Sequence, residues 1–210
     1  MTPDPFFMKI CGITRVTDAR QAVSAGATAL GFVFWPESPR YIAPERAAEI
    51  IAELPPTVLG VGVFVNEPSD SIQRVARQTG LGAVQLHGDE PPAYAEALVW
   101  PIFRAVTLET AAAACTAWAP EATLLLDASD RRRRGGTGTR VDWARAAALA
   151  RERRVVLAGG LTAAKVGEAI ATVQPYGVDV SSGVEASPGV KDPTKVARFL
   201  ASAREAFERR

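Results

Sequence analysis

The stretch Leu59-Gly60-Val61-Gly62-Val63-Phe64-Val65 carries no polar side chain. A strand with one wetted face alternates apolar and polar residues, so an unbroken apolar run calls for cover on both faces, as in a parallel sheet clad in helices. Seven more short, β-rich apolar runs, at residues 6–10, 29–34, 83–86, 102–106, 123–126, 155–158 and 178–180, bring the number to eight. Between them apolar residues recur at helical spacing, as in Ala19, Ala22 and Val23, in Ala47, Ile50, Ile51 and Leu54, and in Val166, Ala169, Ile170 and Val173. Helix starts are marked by Pro44 before Glu45, by Pro68-Ser69-Asp70 and by Asp192-Pro193-Thr194; Gly26 and Gly80 mark stops. An open, doubly wound sheet shares this alternation. Eight units, with glycine-rich turns after the last two strands, favour a single (β/α)8 TIM barrel over residues 1–210. The longest irregular pieces, residues 35–42 and 129–140, are expected to be loops at its active rim.

Charge and composition narrow the partners. The 24 basic and 23 acidic side chains leave a formal net charge of +1, so no overall field points to nucleic acid or to an anionic membrane. A small-molecule substrate is expected instead. No apolar run approaches the roughly 20 residues that a membrane span needs, and Met1-Thr2-Pro3-Asp4-Pro5 lacks the basic and apolar regions of a signal peptide. With no disulfide framework in its two cysteines, the chain is expected in the cytoplasm. Monomer and homodimer are both compatible with it.

Two apolar runs end on residues that can move a proton: Lys9-Ile10-Cys11-Gly12 and Leu124-Leu125-Leu126-Asp127. In a parallel barrel both ends reach the rim where such folds keep their chemistry. A carboxyl at an apolar edge can be held protonated for use as an acid; its alternative is a structural carboxylate paired with nearby arginines. A thiol at neutral pH is a base only where a positive potential favours the thiolate, and Cys11 is otherwise a small core residue. Cys115, among alanines, is expected to be inert. Gly159-Gly160 and Ser181-Ser182-Gly183 follow the seventh and eighth strands, the usual phosphate site of this fold, and tight turns are the plain alternative. Arg40, in a loop stiffened by Pro36 and Pro39, suits a planar carboxylate or is an ordinary surface arginine. The lone histidine, His87, cannot furnish a multi-imidazole metal site. There is no P-loop, zinc spacing or dinucleotide fingerprint, and no cofactor is expected. Four arginines at 131–134 are expected to form a solvated loop that helps to steer an anion; nucleic-acid binding is disfavoured by the lack of interleaved aromatics.

Several segments, taken in order, resemble the phosphoribosylanthranilate isomerase family: Lys9-Ile10-Cys11-Gly12-Ile13-Thr14, Gly31-Phe32-Val33-Phe34, Ser38-Pro39-Arg40-Tyr41, Gly62-Val63-Phe64-Val65-Asn66, Val84-Gln85-Leu86-His87-Gly88, Gly135-Gly136-Thr137-Gly138, Ala158-Gly159-Gly160-Leu161 and Asp179-Val180-Ser181-Ser182-Gly183-Val184-Glu185. The resemblance implies a (β/α)8 enzyme of tryptophan biosynthesis that converts an aminoaldose to an aminoketose by an Amadori rearrangement. It implies Asp127 as general acid, Cys11 as general base, Arg40 on the anthranilate carboxylate, and Gly159, Gly160, Ser182 and Gly183 on the phosphate. The chain departs from the family in its four consecutive arginines and in Val141, where phenylalanine is usual. The related isomerase of histidine biosynthesis would carry an aspartate in place of Cys11, and a sugar-phosphate binder without catalysis would not need both Cys11 and Asp127.

Overall fold

In the computed structural model, which describes residues 6–127 and 142–210, eight parallel strands close into a barrel. They are β1 (Phe7–Cys11), β2 (Ala29–Val33), β3 (Leu59–Phe64), β4 (Ala83–Leu86), β5 (Ile102–Val106), β6 (Thr123–Asp127), β7 (Val155–Ala158) and β8 (Gly177–Val180). The helices are α1 (Val16–Ser24), α2 (Pro44–Ala52), α3 (Ser69–Thr79), α4 (Tyr94–Ala97), α5 (Ala111–Ala117), α6 (Trp143–Glu152), α7 (Ala163–Val173) and α8 (Pro193–Glu208). The arginine run at 131–134, the segment Gly135-Gly136-Thr137-Gly138 and Val141 lie outside the described residues. None of the described helices is long and apolar enough to cross a membrane.

Each strand is apolar on both sides because the two sides meet different partners. Phe7, Ala29, Val61, Ala83, Phe103, Leu125, Val156 and Ala158 pack together inside the barrel, while Met8, Ile10, Leu30, Phe32, Leu124 and Leu126 join the larger cluster shared with the helices. A period of two therefore sends Phe7, Lys9 and Cys11 inward and Met8 and Ile10 outward. The start and stop signals act locally. Pro44 opens α2, Asp192 caps α8 by accepting from the amides of Thr194 and Lys195, and Gly80 ends α3 in the left-handed conformation.

Two strand ends differ from the sequence expectation in a way that bears on chemistry. β1 runs on to Cys11, which pairs with Gly31, and β6 runs on to Asp127, which pairs with Ala158. Both residues are thus the last rungs of a ladder, not the first residues of a loop, and their backbones are fixed by neighbouring strands. The structure also contains a small antiparallel hairpin, β9 (Glu185–Ser187) with β10 (Val190–Lys191), between β8 and α8. That hairpin returns Glu185 and Lys191 to the rim.

Candidate active site

The C-terminal ends of the strands enclose a cavity of about 410 Å³, within the range of small-ligand sites. Cys11, Asp127, Arg40, Gly159, Gly160, Ser182 and Gly183 all line it, together with Trp35, Gln85, His87 and Asp179. The residues proposed from the sequence as acid, base, carboxylate clamp and phosphate turns all reach this one space. Cys115 sits apart on α5.

Below Cys11 lies a charged network to which the sequence assigned no role. Lys9 is fully buried, pairs with Asp179 at 2.9 Å and donates to Gln85 Oε1 at 2.8 Å. The contact follows from register, since Lys9 stands beside Asp179 on the neighbouring strand β8. Burial by itself would lower the Lys9 ammonium, but the charges of Asp179 and Cys11 and the hydrogen bonds to them together outweigh it and hold the lysine above its ordinary value. Burial pushes the Cys11 thiol up; the charges of Lys9 and Lys191 and a hydrogen bond from Lys9 pull it down, and Asp179 opposes them. The net direction is upward, so the thiol is the resting form.

The space for this pair is made by Gly31. A Cβ at that position would stand 2.6 Å from Cys11 Sγ and 2.9 Å from Lys9 Cε, both too close for any side chain.

Arg40 is placed by the loop after β2 and clamped from the opposite end of the chain. Its Nε and Nη2 donate to the two carboxylate oxygens of Glu185 at 2.8 and 2.7 Å, and Lys191 Nζ donates to Glu185 Oε1 at 2.8 Å. A guanidinium has two bidentate edges, and this contact uses the Nε/Nη2 one. The edge formed by Nη1 and the second proton of Nη2 is the one that can meet a ligand carboxylate. Burial works to raise the Glu185 carboxyl, yet the hydrogen bonds and charges of Arg40 and Lys191 together prevail and keep it below the ordinary value. The same hydrogen bond holds Arg40 above its own ordinary value. Gly12, with φ of 77°, lets the arginine stem pass, because a Cβ there would lie 2.7 Å from Arg40 Cδ.

The two glycine-rich turns pack on each other. Gly159 and Gly160 have φ of 84° and 63°, in the region that favours glycine. A Cβ on Gly183 would sit 1.9 Å from the carbonyl oxygen of Leu161, so the turn after β8 presses directly on the turn after β7. Backbone amides can approach an anion closely at such turns.

The geometry has recognisable relatives. A family model described as N-(5'phosphoribosyl)anthranilate (PRA) isomerase matches residues 8–202. The N-(5'-phosphoribosyl)anthranilate isomerase of Citrifermentans bemidjiense is 52% identical over 199 residues, which are 94% of this chain and 97% of that protein. The crystal structure of phosphoribosyl anthranilate isomerase from Thermotoga maritima matches with a TM-score of 0.88 at 43% identity, covering 95% of this chain and 99% of the other. A phosphoribosyl anthranilate isomerase solved in complex with reduced 1-(o-carboxyphenylamino)-1-deoxyribulose 5-phosphate matches with a TM-score of 0.85 at 41% identity, over the same 95% and 99%. The chain belongs to the N-(5'-phosphoribosyl)anthranilate isomerase family.

Proposed function

We propose that this isomerase performs its Amadori rearrangement with Asp127 as general acid and Cys11 as general base, in one catalytic unit formed by residues 1–210 and working in the cytoplasm as a monomer or homodimer. The observation that carries the reading is that both proton-transfer residues, the arginine and the two glycine turns line a single cavity of about 410 Å³.

Asp127 protonates the furanose ring oxygen of phosphoribosylanthranilate. The C1–O bond breaks, and the anilino nitrogen lone pair closes a protonated imine. That imine acidifies the neighbouring C2–H by resonance. The Cys11 thiolate takes the proton, and the electron pair moves through C1 to nitrogen to give an enolamine. Loss of the enol O–H proton and protonation at C1 then yield the ketone, so the change is an isomerisation with no net oxidation. The imine acts as its own electron sink, and the reaction needs no metal or redox cofactor.

The ligand held by the structural relative carries a carboxylate on its aryl end and a phosphate on the other. In this chain Arg40 follows β2, and the glycine turns follow β7 and β8, with β1 between the two groups. That separation suits a substrate with an anion at each end: Arg40 for the anthranilate carboxylate, and Gly159, Gly160, Ser182 and Gly183 for the phosphate. Conversion of phosphoribosylanthranilate generated in place, followed by the decay of its anthranilate-type fluorescence, tests the reading. No decay above the spontaneous rate would overturn it.

Arg40→Ala is expected to raise KM by about 10- to 100-fold and to leave kcat within about threefold, because a carboxylate clamp grips substrate and transition state alike. A loss confined to kcat would place Arg40 on the reacting centre instead.

The pH dependence follows from the thiol. Burial raises Cys11, so at neutral pH the thiolate is the minor form. Because turnover also needs the protonated acid, the thiol is read directly: in a Cys115→Ala background, alkylation of Cys11 is expected to climb with pH through neutrality and beyond about 8.5, the ordinary thiol value. An alkylation rate already flat from pH 6.5 to 9 would show a thiolate at rest and contradict the raised thiol.

A further inference from the structure

His87 stands just past β4 and lines the cavity, yet the mechanism above gives it no task. Its neighbours decide which of its nitrogens carries a proton. Lys9, charged and paired with Asp179, can only donate, so the oxygen atom of the Gln85 amide must face it; the observed contact is Lys9 Nζ to Gln85 Oε1 at 2.8 Å. The amide nitrogen of Gln85 is thereby turned toward His87, and Gln85 Nε2 lies 2.8 Å from His87 Nδ1. An amide NH2 only donates. Nδ1 must therefore accept, and the imidazole proton resides on Nε2. The loop is fixed as well, since Glu90 accepts from the Gly88 amide at 2.9 Å and from Arg104 at 2.7 Å, while Arg104 also donates to the Gly88 carbonyl.

We propose that the Lys9–Gln85 chain locks His87 as the neutral Nε2–H tautomer, making it a hydrogen-bond donor to a sugar oxygen of the substrate and barring it from acting as a base. Lys9 and Gln85 are positioning residues in this role, and His87 touches the substrate. The arrangement leaves Cys11 as the acceptor for the C2 proton, while a fixed donor from strand β4 orients the opened sugar. The identity of the acceptor oxygen rests on the isomerase reading; the tautomer does not.

The test uses the fact that the chain has one histidine, so a two-bond proton–nitrogen correlation spectrum of 15N-histidine-labelled protein contains a single imidazole. For the wild-type protein without substrate at neutral pH, the pattern of the Nε2–H tautomer is expected. An Nδ1–H pattern, averaging between tautomers, or a doubly protonated ring would overturn the lock, whether or not the enzyme turns over. Gln85→Glu replaces the donor with an acceptor and is expected to move the proton to Nδ1. An unchanged tautomer in the folded variant would count against the chain. For the donor role, His87→Ala is expected to lower kcat/KM by about tenfold, the worth of one hydrogen bond, and His87→Gln, which keeps a donor, to stay within about threefold of wild type. Equal losses in the two variants would overturn it.

Discussion

Cys11→Ala and Asp127→Asn are each expected to lower kcat by about 10²–10⁴-fold with the fold intact, since each deletes one of the proposed proton-transfer roles and leaves the other groups in place. The fold should tolerate both changes. Cys11 is small and sits at the end of its strand, where among the described residues Val33 and Val63 share its apolar cluster, and asparagine keeps the shape of Asp127. The two losses should not multiply. Without the acid the ring stays closed and C2 is never acidified, so the base has little to act on, and the double variant should be only slightly worse than the poorer single one. Cys115→Ala, on helix α5, is expected to stay within about threefold of wild type. Turnover near wild type in either rim variant, with unchanged circular dichroism, would remove the acid–base assignment.

The barrel was legible because a parallel sheet covered on both sides leaves a sequence trace that few other architectures produce. Leu59–Phe64 is the clearest example, and β4, β5 and β7 fall where the apolar runs placed them. The hairpin of β9 and β10 left no such trace. Its strands have three and two residues, too short for any periodicity, and it forms because Glu185 and Lys191 are held by the rim.

The site was legible in its individual residues and not in their wiring. Cys11, Asp127 and the glycine turns could be placed at one rim because each ends a strand or follows one. Arg40 could be assigned to a ligand, but its pairing with Glu185, 145 residues away, depends on the closure of the whole barrel. Lys9, Gln85 and Asp179 were missed for a related reason. Each is a polar residue inside an otherwise apolar strand, and each stands two positions before a rim residue: Cys11, His87 and Ser181. A period of two therefore puts all three inside the barrel, Gln85 and Asp179 at the floor of the cavity and Lys9 beneath it. That signal was present, since an unpaired charge in such a layer is too costly to keep and must have a partner. Only the strand register reveals that the partner of Lys9 is Asp179.

That buried layer has a measurable cost of disruption. Lys9→Met keeps the length of the side chain but removes the cation paired with Asp179, whose Oδ1 already lacks a hydrogen-bond partner among the described residues. Breaking a buried pair on one side costs about 3–5 kcal/mol, which denaturant unfolding should record as a lowered midpoint. Pairing Lys9→Met with Asp179→Leu removes both charges and should return most of that stability, because a well-packed apolar pair replaces a buried ion pair at little net cost. Catalysis should not return with it. The charge of Lys9 pulls the Cys11 thiol down more strongly than Asp179 pushes it up, so losing both still leaves the thiol harder to ionise. In a Cys115→Ala background the pH dependence of Cys11 alkylation is therefore expected to move to higher pH in the single variant and, by a smaller step, in the double. If the double variant regained stability and alkylated with the wild-type pH dependence, Lys9 would be a structural cation only, and the positive potential at the base would have to come from Lys191 across the rim.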